Sequence, residues 1–249
     1  MHYVLMIHAA ESRFSTLSKE QGEGVMKAYG EYTKNLFATG RAGDCAALEP
    51  TSTATSVRVR DGKRVVQDGP FAETREQLGG YYSIDAKDEE EALAWAAKIP
   101  DAEGGTIEVR PLPPPMPDAP KAGPAKGEGQ KEYLLLIYEP EARWATMKEE
   151  EMRSTYGRYM DFSKSIGQAG KFIAGERLDS TRKAKCVSIQ GGKRVLRDGP
   201  FAETREQLGG YYRVFAENLD EAIAMAERIP AAESGTIEVR PVMDTSAHV

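Results

Sequence analysis

The chain has 249 residues, 40% of them hydrophobic and 29% charged, which is ordinary globular material, enough for one large core or two small ones. Its net charge of −6 comes from 33 basic and 39 acidic residues, with the basic ones dispersed, so no basic stripe favours a nucleic-acid partner. No apolar run approaches the roughly 20 residues needed to span a bilayer, so no membrane partner is expected. The two cysteines, Cys45 and Cys186, occupy unrelated positions and offer neither a duplicated disulfide nor a metal site, which fits a reduced cytoplasmic compartment.

The fifteen residues from Asp68 to Tyr82 (Asp-Gly-Pro-Phe-Ala-Glu-Thr-Arg-Glu-Gln-Leu-Gly-Gly-Tyr-Tyr) return unchanged at Asp198 to Tyr212. Pairing every residue with the one 130 later needs no gap from Tyr3/Tyr133 to Pro111/Pro241, and 49 of those 109 pairs are identical. The chain is a tandem duplication.

Taken in order, the opening segment lacks the features of an export signal and reads as a first strand. Its partner, Tyr133 to Tyr138, is more apolar still, as expected of a strand buried on both faces. A polar connection leads to a helix from near Lys19 to Thr39, and from near Lys148 to Ala169 in the second copy. Met152, Tyr156, Tyr159, Phe162 and Ile166 share one of its faces, and Gly40 and Gly170 end it. Ser56 to Arg60 alternates like a strand, and Asp61-Gly62 (Gly191-Gly192 in copy two) marks a hairpin turn before Lys63 to Gln67. The fifteen-residue motif then makes a turn at Asp-Gly-Pro, a polar excursion, and a strand that opens at Gly-Gly with a bulge or close backbone approach. Asp88 to Lys98 and Asn218 to Arg228 read as second helices capped by Asp and Asn. Thr106 to Arg110 and Thr236 to Arg240 are last strands that alternate apolar and charged residues.

Each copy therefore reads β-α-β-β-β-α-β with a hairpin inserted, the ferredoxin-like plan with helices on one sheet face. The predicted domains are 1–112 and 131–242, with a tail at 243–249. The stretch 113–130 between them is rich in Pro and Gly and reads as a flexible or semi-extended tether. It allows copy two to lie against copy one as a subunit does in a symmetric dimer.

The fifteen-residue motif, the opening Tyr-Val-Leu-Met-Ile strand and the closing Ile-Glu-Val-Arg-Pro resemble the YCII-related domain family in its DGPF-motif branch. That resemblance implies an α+β fold, two tandem ferredoxin-like domains forming an intrachain pseudo-dimeric α+β barrel, with further homo-oligomerisation left open. The family's biochemical role is mostly unassigned. Its fold resembles that of small isomerases and monooxygenases acting on aromatic or lactone compounds. The resemblance places the histidine of a His-Asp pair proposed for shorter members at Tyr29 and Tyr159, and neither copy carries it. Branch members are often found beside extracytoplasmic-function sigma factors, which implies a regulatory alternative.

Residues kept in both halves are the candidates. Asp68 and Asp198 are either turn aspartates ahead of Gly-Pro or pocket carboxylates able to act as general bases. Tyr29 and Tyr159 are either core residues or proton donors. Pro70, Phe71, Glu73, Thr74, Arg75 and Tyr82, with Pro200, Phe201, Glu203, Thr204, Arg205 and Tyr212, form the expected ligand-binding set, with the Arg75 and Arg205 forks suited to a ligand carboxylate. The same residues also read as a solvated loop. His2, His8 and His248 do not repeat, and no phosphate loop or nucleophile turn occurs, so neither a metal nor a cofactor is expected. The expected function is binding of a small aromatic or anionic molecule between sheet and motif loop, with cofactor-free, isomerase-like acid-base chemistry. The alternative is a non-catalytic regulatory module linked to sigma-factor transcription control, with the motif kept for assembly. A third reading leaves one half competent, marked by the divergent pairs Asp44/Ala174 and Ala46/Glu176.

Overall fold

The computed structural model describes residues 1–72, 74–114, 127 and 129–245. Most of the predicted tether, 115–126 and 128, and the tail residues 246–249 lie outside the described residues. The first half runs β1 (His2–Ala9), α1 (Glu11–Ser15), α2 (Lys19–Ala38), β2 (Ala42–Ala47), β3 (Thr55–Arg60), β4 (Lys63–Asp68), β5 (Gln77–Asp85), α3 (Glu89–Ala96) and β6 (Thr106–Pro111). The second repeats the order as β7 (Lys131–Glu139), α4 (Glu141–Thr146), α5 (Glu149–Gln168), β8 (Phe172–Arg177), β9 (Lys185–Gln190), β10 (Lys193–Asp198), β11 (Gln207–Ala216), α6 (Leu219–Ala226) and β12 (Thr236–Pro241). The long helices match the apolar spacing, and the Asp88 and Asn218 side chains accept from the backbone N–H groups of Glu91 and Glu221, as N-caps do. The short helices α1 and α4 stand where the sequence reads as a polar connection.

Two six-stranded antiparallel sheets result, and each borrows from the other half. One has the order β10-β9-β6-β1-β5-β2 and the other β4-β3-β12-β7-β11-β8. The β3–β4 hairpin thus leaves its own half and pairs with β12, while β9–β10 pairs with β6. The sheets lie face to face. Val4, Met6 and Tyr81 from one meet Leu134, Leu136 and Tyr211 from the other, and the Tyr81 and Tyr211 rings stand 4.6 Å apart. Intervening residues point the other way: Tyr3, Leu5 and Ile7 pack under α2 and α3, and Tyr133, Leu135 and Ile137 under α5 and α6. This period of two explains why β1 and β7 are apolar throughout. The sheets are joined at their corners by a bridge between Leu48 and Val242 and a bond from the Asp179 N–H to the Pro111 carbonyl at 3.1 Å, closing an α+β barrel.

Because β4 and β5 belong to different sheets, the motif between them must cross from one half to the other. The last strand of the opposite half holds both ends of that crossing. Glu238 accepts the Phe71 N–H at 2.8 Å, and Arg240 donates to the Leu78 carbonyl at 3.1 Å. In the mirror-image set, Glu108 accepts the Phe201 N–H at 2.8 Å and Arg110 donates to the Leu208 carbonyl at 2.5 Å. Within each strand the Glu and Arg also pair with each other, and all four are at most 3% exposed. The Phe71 ring stacks on Tyr138 at 4.4 Å and the Phe201 ring on His8 at 4.2 Å.

Removing one member of such a pair leaves a buried charge without compensation, which costs about 3–5 kcal/mol. Glu238→Ala also takes the acceptor from Phe71, so urea unfolding should show a loss of that size. A loss under about 1 kcal/mol would mean that the pair adds little beyond its own burial.

Candidate functional site

The structure takes neither aspartate of the duplicated motif to a cavity. Asp68 and Asp198 end the exposed edge strands β4 and β10. The Asp198 side chain is 89% exposed and pairs with Lys185 at 2.8 Å, which lowers its pKa. Gly69 and Gly199 follow with φ of 101° and 92°, so Asp-Gly-Pro serves backbone geometry here. Arg75, Glu203 and Arg205 are exposed, and Glu73 lies outside the described residues. Pro70 and Pro200 are half-buried. Thr74 and Thr204 donate to the carbonyls of Glu76 and Glu206, while Gln77 and Gln207 each donate to the Thr carbonyl at 2.8 Å. The loops are therefore folded on themselves. Phe71, Thr74, Phe201 and Thr204 do meet across the pseudo-twofold axis, around a hollow of about 80 Å³. That is room for two or three waters rather than an organic ligand.

Tyr82 and Tyr212 face the helices, bonded to Thr33 at 2.8 Å and Ser163 at 2.9 Å. The helix tyrosines differ between halves. Tyr29 donates to Asp101 at 2.8 Å, and Arg13 pairs with the same carboxylate at 2.9 Å. At the position matching Asp101 the second half has Ala231, so Tyr159 lacks that carboxylate and meets a backbone group of Ala231 instead.

Tyr159 lines a cavity of about 690 Å³ in the second half. Its floor is β7, β11 and β8, its roof α4 and α5, and Arg110 of the first half with Pro113 and Pro114 at the start of the tether also line it. An aromatic wall is built by Trp144, whose ring lies 5.4 Å from that of Tyr156 and 6.5 Å from that of Tyr159. On β8, Gly175 makes room for the Tyr212 ring, since a Cβ there would lie 2.9 Å from it. Ala174 and Glu176, members of the divergent pairs, are both in the lining.

Glu139 also lines the cavity. It ends β7, is 5% exposed, and has one oxygen, Oε2, with no hydrogen-bond partner; the nearest cation, Arg143, is 3.7 Å away. Burial raises its pKa, against the opposing pull of a hydrogen bond from Trp144 and the charge of Arg143. Glu176 is likewise raised, first by burial and then by Asp44. Burial and the Glu139 charge raise the Tyr159 hydroxyl, so it remains a neutral donor. A carboxyl held above its ordinary range beside a ligand-sized cavity is equipped to take and return a proton.

The sequence reading missed Glu139, Trp144, Tyr156 and Arg177. Their first-half counterparts are Ala9, Phe14, Met26 and Ala47, so a search for residues kept in both halves passes over all four. The signal was present as divergence. Among the described residues no group of three or more His, Cys, Asp or Glu is placed to hold a metal ion, and no helix is long and apolar enough to cross a membrane.

The raised Glu139 pKa links to stability with a definite sign. Below the unfolded pKa both states hold the proton; above it the unfolded chain ionises first, so this group's contribution falls until the folded carboxyl ionises too. Glu139→Gln does not ionise. Its stability relative to wild type should therefore rise as pH climbs from the ordinary glutamate range through the raised folded value, and stay level below. Denaturant melts across that window check this, and a pH-independent difference would contradict it.

A family model for the YCII-related domain matches residues 1–114 and again 132–246. An uncharacterised protein of Rhizobium meliloti (strain 1021) is 40% identical over 114 residues, which is 45% of this chain and 92% of that protein. Among solved structures, a chlorite dismutase variant from Candidatus Nitrospira defluvii aligns over 99% of this chain and 92% of its own, at 5% identity and a TM-score of 0.48. A Thermus thermophilus protein described as heme-binding aligns over the same shares, at 10% identity and a TM-score of 0.42. Matched twice along its length by one domain, the chain belongs to the YCII-related family.

Proposed function

We propose that the chain binds a small organic molecule in the second-half cavity and that Glu139 exchanges a proton with it, as in a cofactor-free isomerisation. The observation that carries this reading is a buried carboxyl, one oxygen of which has no hydrogen bond and only a 3.7 Å ion pair to Arg143, in the lining of a cavity of about 690 Å³. That volume falls within the usual range of ligand sites, roughly 300–1,000 Å³. The roles follow from the surroundings. Trp144, Tyr156 and Tyr159 supply an aromatic wall, Glu139 is the acid-base group, and the Tyr159 hydroxyl is a neutral donor beside it.

The duplicated motif has a different task in this reading. Its backbone is engaged by the opposite half, which favours assembly as the reason for its identity. The same observation supports the second reading, a non-catalytic regulatory module whose cavity senses a ligand without transforming it.

Native mass spectrometry of protein from its own source would identify a retained molecule, and solvent-deuterium exchange into that molecule would report proton transfer. Glu139→Gln should keep its affinity within a few-fold and slow exchange by about 10²–10⁴. Exchange unchanged in Glu139→Gln would overturn the acid-base role. Binding without any exchange by the wild type would decide for the sensor.

A further inference from the structure

Two arginines line the second-half cavity, and they differ in what already occupies them. Arg110 is fully buried and committed to Glu108 and the Leu208 carbonyl. Arg177 stands exposed at the end of β8. Its Nη1 donates to the Tyr156 hydroxyl at 2.7 Å, and its guanidinium lies 5.7 Å from the centre of that ring. No carboxylate of the described residues lies within ion-pair distance of it; Asp179, two residues on, feels its charge but pairs with Lys183 at 2.7 Å. A guanidinium has five N–H donors in a planar fork, and among the described residues only Tyr156 accepts from this one.

Resting on the ligand-binding reading above, we propose that the cavity is specific for aromatic carboxylates, with the ligand's carboxylate on Arg177 and its ring against Trp144 and Tyr156. A planar fork receives a carboxylate through two parallel hydrogen bonds, and Tyr156 holds this one from rotating away. The aromatic wall begins beside it, with Trp144 tilted 35° to Tyr156. The elements arrive together in one half. Where the second half has Arg177, Tyr156 and Trp144, the first has Ala47, Met26 and Phe14, so the fork, the group that orients it and the larger ring are absent as a set. Glu139 is compatible with the same ligand, because burial favours its neutral form, which does not repel a bound anion.

Calorimetric titration of the full chain with 2-naphthoate and with its uncharged analogue 2-naphthamide tests this. The carboxylate should bind about tenfold tighter or better, the margin typical of a charge-assisted hydrogen bond. Arg177→Gln should abolish that ratio and leave the amide's affinity in place, Arg177→Lys should restore part of it, and Trp144→Ala should weaken both probes. Arg177 is exposed, so its variants should melt with the wild type, and a melting check guards the comparison. Equal affinities in the wild type, or a ratio that survives Arg177→Gln, would overturn the proposal. If the amide binds, weakens with Trp144→Ala and equals the carboxylate, the cavity reading stands and the carboxylate specificity falls. If neither probe binds at millimolar concentration, both fall.

Discussion

The β4 strand lies in one sheet and β5 in the other, so the segment that joins them, residues 69–76, must pass between halves without a ladder of its own. Backbone groups on such a path lose water and need other partners. The opposite half provides them from a single strand. In Ile-Glu-Val-Arg the apolar residues face the helices, while the charged residues face inward and receive the N–H of Phe71 or Phe201 and the carbonyl of Leu78 or Leu208. Neither group alone would serve, since one end of the crossing offers a donor and the other an acceptor. Burying four charges is costly, and apolar residues in their place would often be no less stable. They would leave the crossing unheld, however, which gives the motif and the last strand a shared physical reason to be kept together.

Once the motif's identity is attributed to assembly, the search for chemistry moves to where the halves differ. Fusion makes such differences available. In a symmetric dimer a buried carboxyl with an unpaired oxygen appears twice and its desolvation cost is doubled; in a fused pair it appears once. In copy one the equivalent region holds Asp101, bonded to both Tyr29 and Arg13. Copy two has Ala231 at that position and Glu139 at the end of the neighbouring strand, where copy one has Ala9.

What the sequence disclosed and what it withheld divide along the same line. The long helices, the Asp88 and Asn218 caps and the Gly-Gly bulge are local, and they were legible, whereas the short helices α1 and α4 were read as polar connections. Both β5 and β11 shift register at that point, and a Cβ on Gly80 would lie 2.6 Å from the Ala46 carbonyl oxygen. The exchange of hairpins was not legible, because Ser56 to Arg60 alternates in the same way whichever sheet receives it. The alternation of Ile-Glu-Val-Arg was visible too, but it is an ambiguous signal: charged residues on one strand face usually mean solvent, and here that face is the centre of the barrel. The cavity was hidden by the criterion of repetition itself.

The tyrosine pair shows how far one change alters the chemistry of an unchanged residue. Tyr29 and Tyr159 stand at equivalent turns of equivalent helices, and burial raises the pKa of both. The hydroxyl of Tyr29 is already bonded to a carboxylate that is itself held by an arginine, so neither group is open to a third partner. With Ala231 in place of that aspartate the acceptor is absent, and the carboxyl that influences Tyr159 most is Glu139, whose Oε2 has no hydrogen bond and meets Arg143 only at 3.7 Å. The same tyrosine therefore faces different partners in the two halves: a carboxylate fixed at 2.9 Å by an arginine in one, and in the other a backbone group, with its most influential carboxyl held by an arginine only at 3.7 Å. The looser arrangement is the one whose buried oxygen still lacks a hydrogen bond, and a ligand bearing a donor would supply it.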